Sequence, residues 1–202
     1  MSETRAFKKA LRLEFFTIGY NMVEAAASIF AGYAAGSIAL IGFGLDSVVE
    51  SLSGMVLVWR LKKHGAVSEN EEERIEQNAS RFVGFTFLIL GLYVLTQSMD
   101  KILNKEKPEA SVFGIVIAVL SLTIMPILAK AKIKIGKELN LKSLIADARE
   151  TLVCAWLSAA LLLGLAANAL FGFWLADPLT GLIIVGFLFK EGHELVFEKE
   201  ED

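Results

Sequence analysis

Four stretches of the chain carry no charged residue: 25–45, 82–99, 110–129 and 151–176, of 21, 18, 20 and 26 residues. A helix needs about 20 mostly apolar residues to cross a hydrocarbon core about 30 Å thick, and one soluble core has no use for four such runs. The chain is 54% hydrophobic, against roughly 45–50% for a soluble domain. This patterning predicts an all-α, polytopic membrane protein and argues against a disordered chain, a disulfide scaffold or a β-barrel. Cys154 is the only cysteine, so neither an intramolecular disulfide nor a cysteine-based zinc finger can form. A net charge of −3 provides no basic field for nucleic acid, and none is expected as a partner. Arg5, Lys8, Lys9 and Arg12 precede the first hydrophobic segment without a prompt small-x-small cleavage site, so that segment is expected to stay as a span.

The predicted bundle has six transmembrane helices over about 15–34, 38–59, 82–100, 112–129, 144–171 and 175–189, filling a domain of residues 1–192. Breaks at Ala35-Gly36-Ser37 and Phe171-Gly172-Phe173 make helices 1–2 and 5–6 tight antiparallel hairpins. The stretch from Arg60 to Arg81, with Glu71, Glu72 and Glu73, is expected to be a solvated loop, and residues 193–202 a short acidic tail with no C-terminal domain beyond. Fifteen Lys and Arg fall on the side of the N-terminus, 60–79, 130–142 and the tail, while Lys101, Lys105 and Lys107 fall on the other. This asymmetry is a positive-inside pattern. It predicts cytoplasmic termini and multi-pass insertion in the plasma (cell inner) membrane, with Trp59 and Trp174 as interfacial anchors. The rival, a soluble helical bundle, would make both the asymmetry and the run lengths accidents.

Between Phe15 and Trp59 the only charged residues are Glu24, Asp46 and Glu50. Each acid at mid-bilayer costs about 2.5–3.5 kcal/mol, so three cost roughly 8–10 kcal/mol unless they face a wet or liganded interior. Glu24 lies 12 residues before Gly36, and Asp46 and Glu50 lie 10 and 14 after it. At about 1.5 Å per residue the three sit within roughly 3 Å of one level, and Asp46 and Glu50, at i and i+4, share a face. Helix 5 presents Asp147, Glu150 and Cys154 on one stripe, with Glu150 and Cys154 again at i and i+4. Two such pairs can form a four-ligand cage for a divalent ion, most naturally zinc. The thiol pulls toward softer metals and the carboxylates toward harder ones, so iron, manganese, cobalt and cadmium also fit. The donors' negative charge exceeds that of a divalent cation, so the empty site should hold protons and release them when metal binds. The metal is thus expected as substrate, with no prosthetic group, and protons as the counter-substrate.

These residues also carry a resemblance. Gly36-Ser37-Ile38-Ala39-Leu40 followed by Asp46-Ser47-Val48-Val49-Glu50 resembles the second helix of the cation diffusion facilitator family. Asn21 matches the asparagine often found in its first helix, Ala146-Asp147-Ala148-Arg149-Glu150 resembles its fifth, and Ala176-Asp177-Pro178 its sixth. The resemblance implies export of divalent metals, commonly zinc, against protons, by homodimers of six-span subunits with cytoplasmic termini. The chain departs from the usual pattern: Glu50 stands where an Asp is common, Glu150 where a His is common and Cys154 where an Asp is common, and no His lies in a span. It looks like a short, divergent branch without the cytoplasmic metal-sensing domain.

Each residue also has a structural reading. Asp46, Glu50 and Glu150 are expected as ligands rather than as a hydrogen-bonded structural set, with Glu50 and Glu150 also carrying protons. Cys154 is either a ligand or a small buried hydrophobe. Glu24 is a ligand or proton carrier, or else a partner of Asn21 or Ser28. Asp147 reads as a helix-start residue near the surface, or else as a further ligand, Arg149 as snorkelling, Asp177 as a cap and Asn168 as a bridge between helices. His64 and His193 read as solvated, as does the acidic end from Glu191. Lys130–Lys142 reads as an extension of helix 4 or a segment on anionic headgroups. Gly32–Gly36, Ala155–Ala159 and Ala160–Gly164 permit close helix contact within or between subunits. The leading expectation is therefore a metal/proton antiporter working by alternating access. A non-transporting metal sensor or partner subunit and a proton-coupled organic-cation carrier are the alternatives. No catalytic spacing points to an enzyme.

Overall fold

In the computed structural model, residues 3–63 and 69–197 are described; His64 and residues 198–202 fall outside them. The described chain forms six helices: α1 (Glu3–Ala35), α2 (Ile38–Lys63), α3 (Glu69–Asn104), α4 (Val112–Leu139), α5 (Lys142–Phe171) and α6 (Ala176–Phe197). Among them α2, α3, α4 and α5 are long and apolar enough to cross a membrane by length and composition alone. In α1 the polar residues that dilute its apolarity face inward.

The first helix inverts the burial pattern of a soluble bundle. On α1, Glu14, Thr17, Asn21, Glu24 and Ser28 follow a helical stripe and are all buried, whereas Val23, Phe30 and Tyr33 are 70%, 71% and 84% exposed. The other helices likewise turn Phe82, Ile89, Trp156, Leu163 and Leu170 outward. A large apolar surface around a core that also holds Glu14, Glu24, Asp46 and Glu50 is stable only when hydrocarbon is the solvent. The protein is an integral, multi-pass membrane protein.

α1, α2, α4 and α5 form a ring of four, with α1 packed on α2 and α4, and α5 on α4 and α2. α3 and α6 form a separate pair that leans on α2 and α5. The α5–α6 hairpin expected from its short link is therefore only partly realised, because α6 packs most extensively on α3. The stretch expected as a loop after Arg60 is largely helical, with α2 running to Lys63 and α3 starting at Glu69. α6 likewise continues to Phe197, through the start of the expected tail. Local backbone hydrogen bonding lets a helix continue past the apolar segment into water, so the end of hydrophobicity does not mark the end of the helix.

The sharp turns have a backbone cause. Gly36 and Gly172 both adopt φ of 63°, a left-handed conformation that costs glycine nothing. The Gly36 end of the bundle is knit by polar contacts. Ser37 donates to the Asp177 carboxylate, and the Ile38 amide donates to the same group at 2.9 Å. Asp177 thus caps α2, not the helix on which it sits. Lys101 Nζ donates to the Gly36 carbonyl at 2.8 Å. Asn168 donates to the Pro108 carbonyl at 3.0 Å, bridging α5 to the α3–α4 connection instead of to another helix. At the opposite end Ala10, Leu57, Leu61, Ile135 and Leu144 make a second apolar cluster beneath the main core.

Candidate metal centre

Asp46 and Glu50 stand one turn apart on α2, and Glu150 and Cys154 one turn apart on α5. The contact between α2 and α5 turns both pairs into one cavity, lined also by Phe87 of α3, Val153 of α5, and Phe187 and Glu191 of α6. Four carboxylates and a thiol face this space, with no basic side chain among the lining residues. Asp46, Glu50 and Cys154 are 6%, 7% and 2% exposed.

Glu50, Glu150 and Glu24 are held differently. Both carboxylate oxygens of Glu50 are buried without a hydrogen-bond partner among the described residues. Glu150 accepts a hydrogen bond from the Ser53 hydroxyl at 3.1 Å, across the α2–α5 contact. Glu24 stands off the cavity: the Tyr20 hydroxyl donates to one of its oxygens at 3.0 Å and the Ser47 hydroxyl to the other at 3.0 Å. These partners replace the Asn21 or Ser28 expected from spacing; Asn21 and the Ser28 hydroxyl are buried with their polar atoms unpartnered among the described residues. Cys154 presents its thiol to the cavity while its carbonyl accepts from Ser158, whose hydroxyl also bonds Ser121 of α4 at 2.8 Å. No group of three or more His, Cys, Asp or Glu side chains among the described residues is arranged to hold a metal ion. The donors share a cavity without closing on a single point.

Two further placements differ from expectation. Asp147 is not a surface residue at a helix start: it is 7% exposed and paired with Lys132 at 2.5 Å. Lys132 also reaches Glu14 at 3.2 Å and the Thr151 hydroxyl at 3.4 Å. The lysine expected in a solvated extension of α4 is thus 1% exposed and ties α1, α4 and α5 together. Asp147 is turned toward this cluster and does not line the cavity. The second is Glu191, expected in a solvated acidic end and found in the cavity wall. A signal for it existed, because Glu191 lies seven residues after Ile184 and three after Leu188, both buried on α6, hence on the same helical face. No local signal marks Lys132, whose neighbours Lys130 and Lys134 are exposed.

Residues 15–199 match the cation efflux transmembrane domain. The chain is similar to transmembrane protein 163 of Xenopus laevis, with 25% identity over 194 residues, 95% of this chain and 67% of that protein. It is similar to an uncharacterized transporter of Methanocaldococcus jannaschii, with 24% identity over 179 residues, 87% of this chain and 63% of that protein. It also resembles magnetosome protein MamB of Paramagnetospirillum magneticum, with 25% identity over 169 residues, 82% of this chain and 57% of that protein. The chain therefore spans between 57% and 67% of the length of these relatives. With a six-helix membrane bundle and a family match over nearly the whole described chain, this protein belongs to the cation diffusion facilitator, or cation efflux, family.

Proposed function

We propose that the chain exports a divalent transition-metal cation, zinc foremost, in exchange for protons, by alternating access around the α2–α5 cavity. The observation that carries this reading is the convergence of two i, i+4 donor pairs, Asp46/Glu50 and Glu150/Cys154, on one buried space lined by no cation. Buried carboxylates without a counter-charge are costly. Two species can relieve that cost, a metal ion or protons, and binding one displaces the other. Asp46, Glu50, Glu150 and Cys154 act as donors to the metal, and drawing them onto one ion requires an inward side-chain adjustment. Glu50, with no fixed hydrogen bond, and Glu150 carry protons in the empty carrier. Glu24, held by Tyr20 and Ser47, accepts a proton beside the cavity. In this reading the basic end of the bundle faces the cytoplasm of the plasma membrane, the protein works as a homodimer, and it performs no enzymatic reaction.

The test is metal flux in proteoliposomes containing a pH-sensitive dye. An imposed proton gradient should drive zinc movement, and zinc movement should in turn change the internal pH. Asp46→Ala and Glu50→Ala should each abolish binding while the protein still folds. Saturable binding without flux would replace this reading with a sensor or partner subunit. Proton movement driven by organic cations and not by metals would replace it with a drug carrier.

A further inference from the structure

Glu191 stands on the one pair of helices, α3 and α6, that does not belong to the four-helix ring, yet it lines the same cavity as the two donor pairs. Its level in the bundle follows from the packing register. Gly181 of α6 lies against Ile38 of α2, and both helices descend from the same end of the bundle. Counting about 1.5 Å per residue, Asp46 lies about 12 Å below this contact, Glu191 about 15 Å and Glu50 about 18 Å. Gly164 of α5 packs between Ala176 and Thr180 of α6. The same count from that contact places Glu150 about 21 Å and Glu191 about 20 Å below it. Two independent contacts thus put Glu191 level with both donor pairs.

The basic residue next to it in the chain does not line the cavity. Lys190 is exposed and committed to Glu194 at 3.4 Å. The cavity also contains a group that calls for a ligand, the buried and unpartnered carboxylate of Glu50. We propose that Glu191 is a further donor to a harder divalent cation such as manganese, binding it from α6 together with Asp46, Glu50, Glu150 and Cys154. This rests on the metal-transport reading above. A fifth donor, and a fourth carboxylate, exceeds the four-coordinate shell zinc prefers and suits a harder ion that takes more oxygens, such as manganese. Glu191 therefore shifts preference from Zn²⁺ toward Mn²⁺, and a bound ion links the α3–α6 pair to the ring.

The test is calorimetric titration of the purified full-length protein with MnCl₂ and with ZnCl₂. Glu191→Gln keeps the side-chain volume and removes the charge. It should weaken Mn²⁺ binding at least tenfold while changing Zn²⁺ binding less than threefold. Glu191→Asp, which withdraws the carboxylate by one methylene, should fall between the parent and Glu191→Gln for Mn²⁺, and serves as the readout if the first variant folds poorly. Equal losses for the two ions, or no loss for either, overturn the proposal. Asp46→Ala separates the two levels of inference. If it abolishes binding while Glu191→Gln matches the parent, only the α6 donor fails. If it leaves both ions bound as in the parent, the metal-transport reading fails and this inference with it.

Discussion

Lys132→Met removes one charge from the interior and preserves most of the side-chain volume. Lys132 Nζ lies 3.2 Å from Glu14 and 2.5 Å from Asp147, and the three side chains are 1%, 0% and 7% exposed. Removing one member of a buried ion pair costs about 3–5 kcal/mol, because the remaining charge is left uncompensated. Here two carboxylates are left facing each other across α1 and α5, so the upper part of that range is expected. Against a typical stability of about 5–15 kcal/mol, the loss is a large fraction. At roughly 2–4 °C per kcal/mol for a chain of this size, a loss of about 4–5 kcal/mol should lower the melting temperature by about 8–20 °C. The assay is thermal unfolding of the purified protein in detergent, followed by far-UV circular dichroism. A companion variant, Glu14→Gln with Lys132→Met and Asp147→Asn, removes all three charges and should recover most of the loss, since replacing a whole buried ion cluster is often close to neutral. A single variant that melts within about 2 °C of the parent would show that Lys132 does not neutralise Glu14 and Asp147 in the folded protein. A triple variant as unstable as the single one would show that lost packing of the lysine stem, not stranded charge, sets the effect.

Two further outcomes follow from the contacts around the site. Asp177→Ala removes the carboxylate that accepts from Ser37 and from the Ile38 amide; it should destabilise the protein by about 1–2 kcal/mol, as loss of a helix cap does, and hydrogen exchange should rise in the first turn of α2. Glu24→Gln keeps one carbonyl acceptor, for either Tyr20 or Ser47, while removing a proton carrier; metal should still bind, but fewer protons should be released per ion, measured by titration in buffers of differing ionisation enthalpy.

Much of the candidate site was legible because its elements are local. Asp46 with Glu50, and Glu150 with Cys154, are separated by one helical turn, and helical periodicity alone puts each pair on one face. The depth match between Glu24 and Asp46 came from counting outward from the Gly36 turn. That count correctly made Glu24 and Asp46 neighbours in height, but height says nothing of rotation, and Glu24 turned to Ser47 and Tyr20 while Asp46 turned to the cavity. Asp147 lies on the same helix as Glu150 but points to Lys132, because α4 packs on that side of α5.

Insertion as helices and the one-turn spacing of Asp46/Glu50 and Glu150/Cys154 are fixed by the chain alone, because apolar length and helical periodicity are properties of contiguous residues. Which charges meet is settled by packing between helices. Lys132 and Glu191 both sit in segments that read as solvated ends, and only the lateral packing of α4 on α1 and of α6 on α2 and α5 turned them inward. The reason is physical: the rotation of a helix about its axis is set by the shape and polarity of its neighbours, which are distant in the chain. A lysine between two carboxylates from other helices, and a glutamate from α6 completing a cavity wall, are properties of that packing.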